Sequence, residues 1–167
     1  MNPWLVTVLL ALTMQLGLFL LLWGAVGFVQ DKRLFGNAPK EIVAAVTPKK
    51  QRFPGQHLLG VKMIILALVL LIGPIVFGIL EGIWSKLPYW MFLVRFLIMF
   101  LGLKAFDILF FDYFLLCHSS FFLHYYPEAK DIVGPHLFGY NKISHLIQIL
   151  ILIGLSFLLA YIGILFC

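Results

Sequence analysis

The 167 residues are 63% hydrophobic and only 11% charged, and the mean hydropathy is +1.06. A soluble domain of this length exposes much of its surface to water and carries charge on about a quarter of its residues, so this composition excludes an ordinary soluble fold and indicates a lipid environment. The net charge of +5 is concentrated in two of the segments between apolar runs, which is typical of membrane topology, and we expect no nucleic-acid partner.

Four apolar runs are long enough to cross a bilayer, whose hydrocarbon core takes about 20 helical residues. They cover residues 4–29, 58–80, 90–112 and 143–166. Backbone polar groups in lipid must be satisfied within the segment, and none of the runs alternates as a barrel strand would, so helices are expected. The sequence therefore predicts an all-α polytopic membrane protein, with residues 1–167 forming a single bundle of four transmembrane helices.

The basic residues predict the orientation of this bundle. The second loop holds only Lys86, and the third loop, residues 113–142, holds Lys130 and Lys142. The first loop, residues 30–57, contains Lys32, Arg33, Lys40, Lys49, Lys50 and Arg52. The positive-inside rule then predicts a plasma or inner-membrane protein with the first and third loops in the cytoplasm and both termini outside.

The first loop is expected to be a solvated segment broken by prolines. A short helix is predicted within residues 38–47, after Pro39. The basic residues of the loop either bind anionic lipid headgroups or only set the topology, and the orientation rule already accounts for them.

The third loop is too aromatic for a free segment. We expect either that the third helix continues beyond the membrane or that the loop lies along the inner interface. Pro127 should end any helix near Tyr126, and Asn141 or Ser144 should cap the fourth helix. The aromatic residues of this loop are Tyr113, Phe114, Phe121, Phe122, Tyr125, Tyr126, Phe138 and Tyr140.

Ionisable side chains gather near the predicted cytoplasmic ends of the third and fourth spans. Each costs about 2.5–3.5 kcal/mol in lipid, so such residues usually face protein or water and are candidate functional groups. If the third helix continues as an α-helix, Lys104, Asp107 and His118 lie along one stripe, and Asp112 lies to one side of it. His145 falls in the first turns of the fourth span, at a similar depth.

These residue types suit acid–base chemistry beside a charged headgroup. The candidate catalytic residues are Asp107, Asp112, His118 and His145. The candidate substrate-binding residues are Lys104, Lys62 and Gln148, with Lys104 holding an anionic headgroup. A structural explanation also stays open, in which Lys104 and Asp107 only neutralise each other. Arg95, near the outer end of its span, is expected to extend toward water.

A metal site is a weaker hypothesis. His118, His124 and His136 are candidate ligands, but their spacing matches no established metal-binding motif. The sequence identifies no cofactor.

Three functions are compatible with this pattern. The first is a membrane enzyme with a cytoplasm-facing site in the inner leaflet, acting on a lipid or isoprenoid group. The second is a small oligomeric ion-coupled transporter in which Asp107 titrates against Lys104. The third is an accessory or assembly subunit of a larger membrane complex. The expected partners are membrane lipid and either a second copy or another membrane subunit, and the sequence leaves open whether the chain is an enzyme.

Overall fold

The computed structural model describes residues 2–35, 38–47 and 49–167. All of the regular secondary structure in these ranges is helical, so the predicted all-α class is confirmed. The four long helices are α1 (Pro3–Trp23), α3 (Gln56–Trp84), α4 (Tyr89–Phe106) and α6 (Lys142–Leu165). Each of them coincides with one of the predicted apolar runs.

Two of these helices continue as π-helices, which were not predicted. The first π-helix, Gly24–Val29, follows α1, and the second, Asp107–Leu116, follows α4. The continuation to Leu116 confirms that the third predicted helix extends past its apolar run. The wider π-helical turn changes which side chains share a face, because its hydrogen bonds join residues five apart rather than four.

Three helices in the described ranges are long and apolar enough to cross a membrane, not the four predicted. They are α1 together with the first π-helix (Pro3–Val29), α3 and α6. The remaining helix, α4, carries Arg95 and Lys104 on its inward side, and both of these side chains are buried. A membrane bundle is compatible with these helices.

The core of the bundle is built around α4, which packs against both α1 and α6. Its Phe92, Phe96 and Met99 are fully buried. The Phe92 ring lies so close to Gly82 of α3 and Gly163 of α6 that a Cβ at either glycine would overlap it. These glycines therefore let the aromatic face of α4 reach the backbones of its neighbours.

Arg95 does not extend toward water, as expected from the sequence, but is 1% exposed. Its guanidinium lies 2.6 Å from a carboxylate oxygen of Glu81, donates to the Gly78 carbonyl at 2.7 Å and donates to the Thr7 hydroxyl at 3.2 Å. The expectation was wrong because Glu81 on α3 supplies an opposite charge at the same depth, which no spacing along α4 could reveal.

The first loop is solvated in part: residues 50–55 are exposed, as predicted, but other residues of the loop are buried. It forms the predicted short helix, α2 (Lys40–Ala45), and buries Ile42 and Val46. These side chains pack against Phe122 and Tyr126 of the third loop. The aromatic side chains of the third loop need an apolar partner, and the first loop provides one.

The third loop folds into three short helical segments. The helix α5 (Phe121–Tyr125) ends just before Pro127, as predicted, and 3₁₀ turns follow at Pro127–Ala129 and Pro135–Leu137. Asn141 occupies the N-cap position of α6, but its side chain makes no capping hydrogen bond. The expected capping role of Asn141 was therefore wrong, and its side chain is available to the site described next.

Candidate functional site

The second π-helix brings two carboxylates together. Asp107 and Asp112 are five residues apart, which is the hydrogen-bonding interval of a π-helix, and both side chains line the same two cavities. The sequence had predicted that Asp112 lies beside the stripe that contains Asp107 and His118. That prediction assumed α-helical geometry and was wrong, because the π-helix aligns Asp112 with Asp107 instead.

The first of these cavities, the polar cavity, lies where α4 ends and α6 begins. Its volume is about 240 Å³. The Lys104 ammonium lies 2.6 Å from the Asp107 carboxylate and donates to the Gln148 side-chain oxygen at 2.5 Å. The lining residues are Lys104, Asp107, Asp112, Tyr140, Asn141, Ser144, His145 and Gln148.

An imidazole and a carboxylate pair across this cavity. The His145 Nε2 lies 2.6 Å from an oxygen of Asp112, and the two side chains are 11% and 13% exposed. The other ring nitrogen, Nδ1, is buried and has no hydrogen-bond partner within the described part of the chain. The same is true, among the described residues, of the buried Asn141 Oδ1. Two polar atoms in residues that line the cavity are thus unsatisfied within the described part of the chain.

The second cavity, the apolar pocket, has a volume of about 250 Å³. Leu18, Leu21, Leu22, Ala25 and Val26 line it from α1 and the first π-helix. Phe111, Leu115 and Leu116 line it from the second π-helix, and other walls come from Leu34, Ala38, Pro39, Phe121 and Phe122. Both π-helices thus contribute to one hydrophobic pocket.

The two cavities meet at shared residues. Asp107, Asp112 and Tyr140 line both of them. Partial burial raises the pKa of the Tyr140 phenol, and the neighbouring Asp112 and Asp107 carboxylates raise it further, so this hydroxyl stays protonated. A polar cavity therefore adjoins an apolar pocket, with ionisable groups at the junction.

Five of the seven predicted site residues come together here: Lys104, Asp107, Asp112, His145 and Gln148. His118 does not join them. Its Nδ1 lies 2.7 Å from the Tyr113 carbonyl and its ring packs on Tyr113, away from the cavity lining. Lys62 is exposed on α3 and does not line either cavity.

The predicted metal ligands are not brought together either. His124 packs against Tyr125, and His136 lines a further cavity of about 630 Å³ beside Lys40 and Glu41. In the described ranges no group of three or more His, Cys, Asp or Glu side chains is arranged to hold a metal ion. The sequence-based metal hypothesis therefore gains no geometric support.

Sequence reasoning missed three lining residues of the polar cavity: Tyr140, Asn141 and Ser144. Asn141 and Ser144 lie within one helical turn of His145, and this spacing could have suggested that they share its surroundings. Tyr140 carried no such signal, because its position depends on how the third loop folds.

No protein-family model matches this sequence, and neither a curated protein nor a solved structure matches it. The functional conclusion therefore rests on the geometry of the site.

Proposed function

We propose that α4 is a fourth membrane-crossing helix, and that the protein is a multi-pass protein of the plasma or inner membrane with both termini outside. Charged residues are tolerated at membrane depth when they face protein and are paired. Arg95 faces Glu81 and Lys104 faces Asp107, so both charges of α4 are compensated within the bundle. The distribution of basic residues supports cytoplasmic first and third loops.

We infer that the polar cavity and the apolar pocket together form one binding site for an amphiphile, and that the protein is an enzyme acting on a lipid or isoprenoid group. The observation that carries this proposal is the sharing of Asp107, Asp112 and Tyr140 by a polar and an apolar cavity. Ligand sites are typically apolar hollows with a few converging polar groups. With the first and third loops in the cytoplasm, the site would open toward the inner leaflet.

The chemistry would centre on His145 and Asp112. When the neutral imidazole donates its Nε2 hydrogen to Asp112, Nδ1 carries a lone pair that has no partner in the described part of the chain. A carboxylate that orients an imidazole in this way also stabilises the imidazolium that forms when Nδ1 accepts a proton. The pair is thus suited to take a proton from a bound hydroxyl or water and to return it later.

Lys104, Asp107 and Gln148 would act as positioning residues. Asp107 at the start of the second π-helix and Gln148 on α6 both hold the ammonium of Lys104, which lies on α4. This contact ties the end of α4 to the first turns of α6, which carry His145. The proposal therefore needs the contacts of Lys104 with Asp107 and Gln148, even if Lys104 never touches the reacting group.

The proposal is tested by incubating the purified full-length protein with liposomes made from total membrane lipid and isoprenoids and following their composition by mass spectrometry. We expect a time-dependent chemical change of one lipid class that Asp112→Asn and His145→Gln abolish. Lys62→Gln, which alters a polar residue outside both cavities, is the matched control and should retain the reaction. Turnover that persists in both site variants, or no chemical change with any lipid, would contradict the proposal.

The two alternative functions predict different experimental results. An ion-coupled transporter would move a solute across proteoliposomes without changing it, and an accessory subunit would co-purify with a larger membrane protein. The buried aromatic residues Phe92, Phe96 and Phe100 fill the core along α4 up to the turn that carries Lys104. This packing favours a site that opens at one end over a path through the molecule.

A further inference from the structure

We infer that the polar cavity recognises a neutral amphiphile through a hydroxyl group and discriminates against an anionic headgroup. This inference rests on the proposed amphiphile site and adds the chemical class of its ligand. It also changes the role that the sequence suggested for Lys104, which was to hold an anionic headgroup.

The charges of the cavity compensate one another without any ligand. Lys104 contacts Asp107 at 2.6 Å, and His145 contacts Asp112 at 2.6 Å. The formal charge of these four groups is zero when His145 is protonated and negative when it is neutral. A phosphate or carboxylate would thus enter a site with no net positive charge beside two carboxylates, and an uncompensated charge in a sheltered site is costly.

The two polar atoms that lack partners would be satisfied by a hydrogen-bond donor on the ligand. Asn141 Oδ1 accepts only, and His145 Nδ1 accepts whenever Nε2 donates to Asp112. Both atoms are buried and belong to residues that line the cavity, and neither has a partner in the part of the chain that the structure describes. His145 itself is only 9% exposed. A hydroxyl group can donate to one of these atoms and accept from a neighbour, whereas an ester or ether oxygen can only accept.

The apolar pocket fixes the rest of the ligand. Asp107 and Asp112 line both cavities, so a ligand with its hydroxyl in the polar cavity can extend its tail past them into the apolar pocket. The ligand class is therefore an alcohol with a long hydrocarbon tail, such as an isoprenoid alcohol or a diacylglycerol. In this pose the hydroxyl is also the group from which His145 Nδ1 would take a proton.

The experiment compares three probes with one tail: geranylgeraniol, its methyl ether and its monophosphate. Equilibrium binding is measured with radiolabelled probes on the purified full-length protein in detergent micelles. We expect the alcohol to bind about tenfold more tightly than the ether, which corresponds to one hydrogen bond to a buried partner, and more tightly than the phosphate. Asn141→Leu should reduce the difference between alcohol and ether, with the micelle-embedded protein still eluting as a folded species.

A second variant tests the charge argument in the opposite direction. Asp107→Asn removes the counter-charge of Lys104, so the ratio of alcohol affinity to phosphate affinity should fall about tenfold. Asp131→Asn removes an exposed carboxylate of the third loop and is the matched control, for which no change is expected.

The outcomes separate this inference from the proposed function. If the ether binds as tightly as the alcohol, or the phosphate binds more tightly than the alcohol, the inference is overturned while the amphiphile site stands. If none of the three probes binds the wild-type protein, the amphiphile site itself fails and the proposed function fails with it.

Discussion

Arg95 and Lys104 illustrate how this chain places charge in a hydrophobic bundle. Arg95 is paired with Glu81 on another helix, and Lys104 is paired with Asp107 on the following turn. Removing one member of a buried pair leaves an uncompensated charge, while replacing both by apolar residues of similar size is often neutral or stabilising. The Arg95–Glu81 pair thus fixes which faces of α3 and α4 meet, while the Lys104–Asp107 pair neutralises charge within one continuous helical segment.

At Glu81 this argument gives a prediction for stability. Glu81→Ala leaves the Arg95 guanidinium buried without its carboxylate and should lower the free energy of unfolding by about 3–5 kcal/mol. The double variant Glu81→Leu with Arg95→Met should recover most of that loss. Denaturant unfolding in detergent micelles measures both. A Glu81→Ala protein as stable as the wild type would show that the pair has no such role.

Individual residues of the site were predictable, but their pairings were not. The cost of charge in lipid was enough to single out Lys104, Asp107, Asp112 and His145 from the sequence. The contact between Asp112 and His145 joins residues 33 positions apart, and that between Arg95 and Thr7 joins residues 88 apart. No local spacing encodes such contacts, because they depend on how α4 packs against α1 and α6.

At the scale of elements, the second π-helix determines which carboxylates line the site. The long helices were predictable because an uninterrupted apolar run of sufficient length specifies a membrane-type helix. The π-helix was not, because residues 107–116 are apolar on all sides apart from the two carboxylates and show no period from which to read the helix type. The expected α-helical stripe therefore included His118 and left out Asp112.

Exchanging two neighbouring residues tests the placement of the Asp112 carboxylate. In Phe111→Asp combined with Asp112→Phe the composition is unchanged, but the carboxylate moves to the position of Phe111, which lines only the apolar pocket. We expect this variant to lose the contact with His145 and to bind geranylgeraniol at least about tenfold more weakly. Binding equal to that of the wild type would contradict the role of the contact between Asp112 and His145.

The contact between the first and third loops gives a pH-dependent prediction. Burial alone would raise the pKa of Glu128, but hydrogen bonds led by that from Lys49, with those from Thr47, outweigh it and lower the pKa from 4.5 to about 2. The folded state thus favours ionised Glu128, and this stabilisation is present above pH 4.5 and lost as the pH falls toward about 2. Because the pair is partly exposed, its contribution should be below about 1 kcal/mol.

Comparing Glu128→Gln with the wild type measures this contribution. The wild type should have the higher unfolding midpoint above pH 4.5, and the difference should shrink below that pH and vanish near pH 2. A difference that is constant over the whole range would show that the carboxylate charge is not responsible.

At the scale of the whole molecule, the helices enclose the site on one side and leave wide apolar faces on the other. Exposed side chains such as Ile65, Val69 and Ile72 on α3, and Leu150 and Ile151 on α6, suit contact with acyl chains. The apolar pocket is formed instead between α1 and the second π-helix. Lipid would therefore surround the bundle, while one amphiphile enters it.

The topology can be tested with cysteine labelling. Cys167 is exposed and Cys117 is buried. Because the proposed orientation puts the C-terminus outside, a membrane-impermeant maleimide should label the wild type in intact cells at Cys167. In a Cys167→Ser background, Lys130→Cys should be labelled only after the membrane is permeabilised, because the third loop is proposed to lie in the cytoplasm. Labelling with the reverse pattern would invert the proposed orientation.

The amphiphile site is tested most directly by photoaffinity labelling. A long-chain alcohol carrying a diazirine in its tail is irradiated with the protein in lipid nanodiscs, and the adducts are mapped by mass spectrometry. We predict adducts in residues 18–26 and 111–116, which line the apolar pocket, and their suppression by excess unlabelled alcohol. Adducts confined to the exposed faces of α3 and α6, unaffected by the competitor, would contradict the account.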